Sequence, residues 1–136
     1  MLNQQNPLFS YVALAPDAGD DGRLEVHEVF GLRLAADLVV LSACQTGLGS
    51  GAESDVPAGD DWVGLARAFL SSGAAEVMAT LWPVQDRASA ALMERFYPVY
   101  QGDAGAALAT AQRAVLSQPE TASPYYWAGF ELMGGR

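Results

Sequence analysis

At 136 residues the chain is long enough for one ordinary domain and too short for two. Hydrophobic residues make up 51% and charged residues 17%, which fits a packed core and excludes a disordered chain. The formal net charge of −9 repels phosphate backbones, so a nucleic-acid partner is not expected, whereas basic peptides are compatible.

A single cysteine, Cys44, excludes an intramolecular disulfide and suits a reducing, cytoplasmic setting. One cysteine and one histidine cannot assemble a structural zinc site, and neither a metal nor an organic cofactor is expected. Apolar runs such as Leu38 to Leu41 fall far short of the ~20 residues that cross a bilayer, and the amino-terminal MLNQQNPLF lacks the features of a signal peptide. No membrane association is expected.

In chain order, Tyr11 to Leu14 is a short apolar strand, ended by Pro16 and the polar run Asp17 to Gly22. Leu24, Val26, Val29 and Phe30 lie near helical spacing, and Gly31 could end that helix. Leu38-Val39-Val40-Leu41 is apolar at every position, the pattern of a strand covered on both faces in a parallel sheet. Residues 45 to 59 are rich in Gly, Ser and Asp and read as a long loop of the kind that is usually functional or disordered. Asp60 or Asp61 could cap a helix with Trp62, Ala66, Phe69 and Leu70 on one face, stopped by Gly73.

Val77 to Trp82 predicts a second buried strand, closed by Pro83. Asp86 could cap the next helix, with a stripe of Ala88, Leu92, Phe96 and Val99. Asp103 could cap another, with Ala107, Leu108, Ala111 and Val115 inward. Beyond Pro119 and Pro124, the alternation of Tyr126, Ala128, Phe130 and Leu132 suggests a last strand. Strands alternating with helices mean an α/β fold with a mainly parallel sheet, in which ligands sit outside the carboxyl ends of the strands. Two loops begin there, one at Ser42 to Gly47 and the other at Pro83 to Asp86.

Cys44 stands at that edge, followed by Thr46 and Gly47. The small Gly47 would let backbone amides approach a substrate oxygen, as an oxyanion hole requires, but the thiol needs a base or a positive field to ionise. The structural alternative is a buried, inert cysteine. Asp55, Asp60 and Asp61 would attract a basic substrate while opposing thiolate formation; their simpler reading is a solvated loop and a helix cap.

The run Leu38-Val39-Val40-Leu41-Ser42-Ala43-Cys44-Gln45-Thr46-Gly47 resembles the nucleophile strand and loop of CHAT domains, caspase-like cysteine peptidase domains often found beside tetratricopeptide repeats. Further segments match in order: Asn6-Pro7-Leu8 with Ser10, Asp21-Gly22, Ala36-Asp37, Gly64 to Phe69, Gly73-Ala74, Leu81-Trp82-Pro83-Val84, Phe96-Tyr97 and Pro124 to Ala128. The resemblance implies a three-layer α/β/α fold and a cysteine endopeptidase in which Cys44 is the nucleophile and its own backbone amide helps hold the oxyanion.

In that family the partner histidine lies in a His-Gly pair a few residues before the Asn-Pro-Leu segment. Residues 1–136 are therefore expected to be the C-terminal portion of one such domain, incomplete at the N-terminus and largely inactive alone. His27 precedes Cys44 but matches no dyad position, and a solvent-facing or Glu28-paired histidine is its simpler reading. Leu81 to Asp86 is similar to the wall of the primary specificity pocket in caspase-like peptidases and separases. By that likeness Asp86 would pair with a basic side chain before the scissile bond, and Trp82 would line its stem. Partners implied are a peptide substrate and a tetratricopeptide or other sensor region. The alternatives are a non-catalytic interaction or signalling module and a thiol-dependent phosphatase or transferase; the last is disfavoured because Gln45-Thr46-Gly47-Leu48 lacks the phosphate-binding Arg.

Overall fold

The computed structural model describes residues 6–41 and 60–135. After a single 3-10 turn at Pro7–Phe9, strands β1 (Tyr11–Ala13) and β2 (Arg23–Glu25) form a two-stranded antiparallel ribbon, with Val12 opposite Leu24. The expected first strand is thus present but belongs to a ribbon of its own, outside the main sheet. Gly22, at φ +74°, makes the return, because a Cβ there would come 2.7 Å from the Leu14 carbonyl oxygen.

The helix expected over residues 24–32 is shorter. Leu24 is consumed by pairing with Val12, and helix α1 covers only Val26–Val29. Glu25 and Glu28 make a reciprocal capping box at its start, which satisfies donors that a one-turn helix leaves open. Val26 and Val29 are buried.

The main sheet has the order β3-β4-β5, with β3 at Ala36–Leu41, β4 at Ala74–Thr80 and β5 at Phe130–Gly134. β3 and β4 are parallel, with Leu41 opposite Ala79. β5 runs antiparallel to β4, with Phe130 opposite Thr80. Among the described residues the sheet is therefore mixed rather than mainly parallel. The chain reaches the free edge of β4 at its carboxyl end, so β5 must run back along it. That last strand also starts later than expected, since Pro124–Tyr126 is a 3-10 turn.

Side chains alternate across this sheet as the pleat demands. Leu38, Val40, Met78, Phe130 and Leu132 join a cluster with residues of helices α3 (Asp86–Phe96) and α4 (Ala104–Leu116). Val39, Leu41, Val77, Ala79 and Met133 join a second cluster with α1 and helix α2 (Asp60–Ser71). Apolar residues at successive positions of β3 and β4 follow from helices on both faces.

In α3 the stripe of Ala88, Leu92 and Phe96 is buried. Val99, expected to extend it, falls in a following 3-10 turn and is exposed. In α4 the Asp103 carboxylate caps the helix, accepting from Ala106 N–H at 2.8 Å, and Ala107, Leu108, Ala111 and Val115 are all buried. For α2, the side chains of Asp60, Asp61 and Trp62 lie outside the described residues, whereas Ala66 and Phe69 are buried as expected.

The turn from α2 into β4 fastens the two sides of the α1 layer. Ser72 Oγ donates to the carbonyls of Val29 and Ala68, and Leu34 N–H donates to the Ser72 carbonyl at 2.6 Å. Gly73 follows at φ +109°, and a Cβ there would strike the Leu34 carbonyl oxygen. Gly73→Ala is expected to cost roughly 2 kcal/mol or more through positive-φ strain plus this clash. Gly105→Ala, in the first turn of α4 and 3.5 Å from the Asp103 carboxylate, should be neutral or stabilising by under about 1 kcal/mol. Urea unfolding of the two variants should separate them in this order.

Candidate functional site

The carboxyl ends of β3 and β4 lie side by side, fixed by the Leu41–Ala79 register. The two loops singled out from sequence leave from these neighbouring ends. Cys44 follows β3 by three residues in the chain. It lies outside the described residues, as do Ser42, Thr46, Gly47 and Asp55. The second loop, Leu81 to Gln85 with Asp86 at the head of α3, is fully described.

That loop is anchored at several points. Leu81 N–H donates to the Gly129 carbonyl at 2.8 Å, continuing the β4–β5 pairing by one step. Trp82 is half-buried; its indole Nε1–H donates to the Tyr125 carbonyl at 3.0 Å. Its ring lies over Gly129, where a Cβ would come 2.8 Å from the ring carbons. Pro83 presents its carbonyl to the Tyr125 hydroxyl at 2.6 Å. Val84 is buried in the α3/α4 cluster. Gln85, not Asp86, is the cap residue of α3, and its carbonyl accepts from the N–H groups of Ala88 and Ser89. The expected capping role of Asp86 is therefore corrected: Asp86 is the first helical residue, too far along to receive those bonds. Its carboxylate is exposed and makes no hydrogen bond or ion pair with another described residue. The amino-terminal end of α3 still favours its negative charge.

His27 is half-exposed on the outer side of α1. Its Nδ1 lies 3.1 Å from the Glu25 carboxylate, and its ring meets Phe9 edge-on at 5.5 Å between centroids. Its acidic neighbour is thus Glu25 rather than Glu28, whose carboxylate is taken by the Glu25 N–H. Among the described residues no group of His, Cys, Asp and Glu gathers closely enough to hold a metal ion, and no helix is long and apolar enough to cross a membrane.

The anchoring role of Tyr125 and Gly129 was not legible in the sequence, where the alternation from Tyr126 to Leu132 reads as a last strand. The available signal was a tryptophan just past a strand end, whose indole N–H must find an acceptor.

Helices packed against a mixed sheet, with the chain toward Cys44 and the Leu81–Asp86 loop leaving adjacent strand ends, define an α/β domain. The chain belongs to the CHAT domain family, whose family model matches residues 1–135. It is 39% identical over 113 residues to tetratricopeptide repeat protein 28 of Mus musculus. It is 38% identical over 113 residues to the Homo sapiens protein of the same name. Each match takes in 82% of this chain and 4% of the relative, so the chain spans a small fraction of those proteins. The expected kinship with tetratricopeptide-repeat proteins is met.

The geometry separates the two candidate pocket residues energetically. Asp86→Asn is expected to change stability by less than about 1 kcal/mol, because only an exposed charge at a helix start is lost. Trp82→Ala should cost roughly 3 kcal/mol, through lost burial and an unanswered Tyr125 carbonyl. Thermal unfolding followed by circular dichroism would test the contrast.

Proposed function

We propose that the chain carries the nucleophile and the specificity wall of a caspase-like cysteine endopeptidase domain, with Cys44 attacking the peptide carbonyl. The observation that carries this reading is the parallel β3–β4 register. It starts the Cys44 loop and the Trp82–Asp86 loop from adjacent strand ends, where ligands of open α/β sheets bind. The two core clusters on opposite faces of the sheet support the three-layer α/β/α form of that fold. Asp86, with its carboxylate exposed and unpartnered among the described residues, suits a basic side chain ahead of the scissile bond. The half-buried Trp82 ring offers an apolar wall to the stem of that side chain.

The thiol needs a proton acceptor, and the single imidazole of the chain, His27, is engaged by Glu25 and Phe9. The 136-residue chain by itself is expected to recognise basic peptides and to bring their reactive ends to an unactivated thiol, yet hydrolyse little. Tetratricopeptide repeats or another sensor region are the natural gating partners, in keeping with the kinship to tetratricopeptide repeat protein 28. That same kinship favours a second reading as a non-catalytic interaction module.

A peptidyl chloromethyl ketone ending in arginine, and its alanine counterpart, distinguish the readings. The peptidase reading expects a mass adduct on Cys44 that forms several-fold faster with the arginine reagent and is absent in Cys44→Ala. Asp86→Asn should erase the preference, and no hydrolysis of arginine amides should rise above the Cys44→Ala control. Equal rates for both reagents, matching a free thiol, would leave the interaction module as the better account.

A further inference from the structure

Residues 124–130 grip the Leu81–Asp86 loop from outside the segment that bears the candidate pocket residues. Two hydrogen bonds cross in opposite senses: the Trp82 indole donates to the Tyr125 carbonyl at 3.0 Å, and the Tyr125 hydroxyl donates to the Pro83 carbonyl at 2.6 Å. A third joins Leu81 N–H to the Gly129 carbonyl at 2.8 Å. Gly129 itself lacks a positive φ, so its glycine answers a need for space, since a Cβ would intrude 2.8 Å from the Trp82 ring.

The gripping segment is held in turn by α4. Gln112 Nε2 donates to the carbonyls of Trp127 at 3.1 Å and Phe130 at 3.3 Å. Tyr125 is 51% exposed, so its ring contributes little to the core. What it contributes is directional, a two-point bracket on the backbone and ring that precede Asp86.

We propose that Tyr125 and Gly129 are positioning residues that hold Trp82 and the Leu81–Asp86 loop in the arrangement that selects a basic side chain. This rests on the pocket reading of Trp82 and Asp86 given above. Through the bracket, the plane of the Trp82 ring and the entry into α3 are set together. An arginine then meets a preformed wall instead of ordering a loose loop, which lowers the entropic cost of binding.

The test uses the full 136-residue chain labelled with 15N, with the Trp82 indole resonance assigned through Trp82→Phe. Hydrogen exchange of that indole N–H reports the bracket, and titration with Nα-acetyl-argininamide against Nα-acetyl-alaninamide reports recognition. Tyr125→Phe deletes one hydroxyl and keeps the ring. It should speed indole exchange and weaken the arginine amide by about three- to tenfold, the scale of one hydrogen bond, with the chain still folding cooperatively and its thermal midpoint lowered by only a few degrees. Gly129→Ala should displace the ring and weaken binding at least as much.

Arginine binding by the wild-type chain that survives unchanged in both variants overturns the positioning role. Failure of the wild-type chain to distinguish the arginine from the alanine amide overturns the pocket reading instead, and with it any role of the bracket in recognition.

Discussion

The parallel pairing of β3 with β4 is the constraint on which the molecule turns. Each strand is covered on both faces, so neither can slip by one residue without exchanging its two sets of apolar contacts. Leu38 and Val40 belong with Met78 and the α3/α4 layer, and Val39 and Leu41 belong with Val77, Ala79 and the α1/α2 layer. β4, paired on both edges, holds fully buried Val77 and Met78 at its centre. With this register set, the carboxyl ends of the two strands must finish together, and whatever chemistry the following loops carry starts from one line.

Position at a strand end does not by itself give a loop a defined shape. The Leu81–Asp86 loop gets its shape from three unlike devices. Val84 is sunk into the α3/α4 cluster, Gln85 closes the first turn of α3 with its carbonyl, and the Trp82–Pro83 pair is tied to Tyr125. Asp86 contributes to none of them, and its exposed carboxylate answers to no described residue. A charged group held by scaffold it does not help to build is free to serve a ligand, because its loss leaves the scaffold intact.

The parts of this fold legible in the sequence were those governed by local pattern. The run Leu38 to Leu41 announces a doubly covered strand, and Asp103 followed by Ala107, Leu108, Ala111 and Val115 announces a capped, one-sided helix. The parts that escaped depend on distant partners. Leu24 fits both a helix and a strand, and only its pairing with Val12 decides for the strand. The direction of β5 depends on which end of β4 the chain reaches after α4, which no residue in β5 encodes. At the site, the position of Asp86 was readable to within one residue of its cap. The bracket from Tyr125 spans more than forty residues of chain and leaves no local periodicity to read.

The charge of the chain sets two demands against each other. A formal net charge of −9 favours cationic over anionic peptides as ligands, and on the peptidase reading Asp55, Asp60 and Asp61, near Cys44 in sequence, would add to that preference. The same charges, if near the sulfur, would raise the free energy of a thiolate, because like charges disfavour the ionised form. On the proposed reading, recognition of a basic side chain asks for nothing beyond such charges, whereas nucleophilic attack needs a positive group beside the sulfur. His27, beside Glu25 on the outer side of α1, matches no dyad position of the resembled family, so on the peptidase reading that group is a different one. An imidazolium supplied next to Cys44 would serve, and to a lesser degree so would a cationic side chain held by Asp86 as proposed. The peptidase and interaction readings thus share their recognition physics and part only at the stabilisation of one negative charge on sulfur.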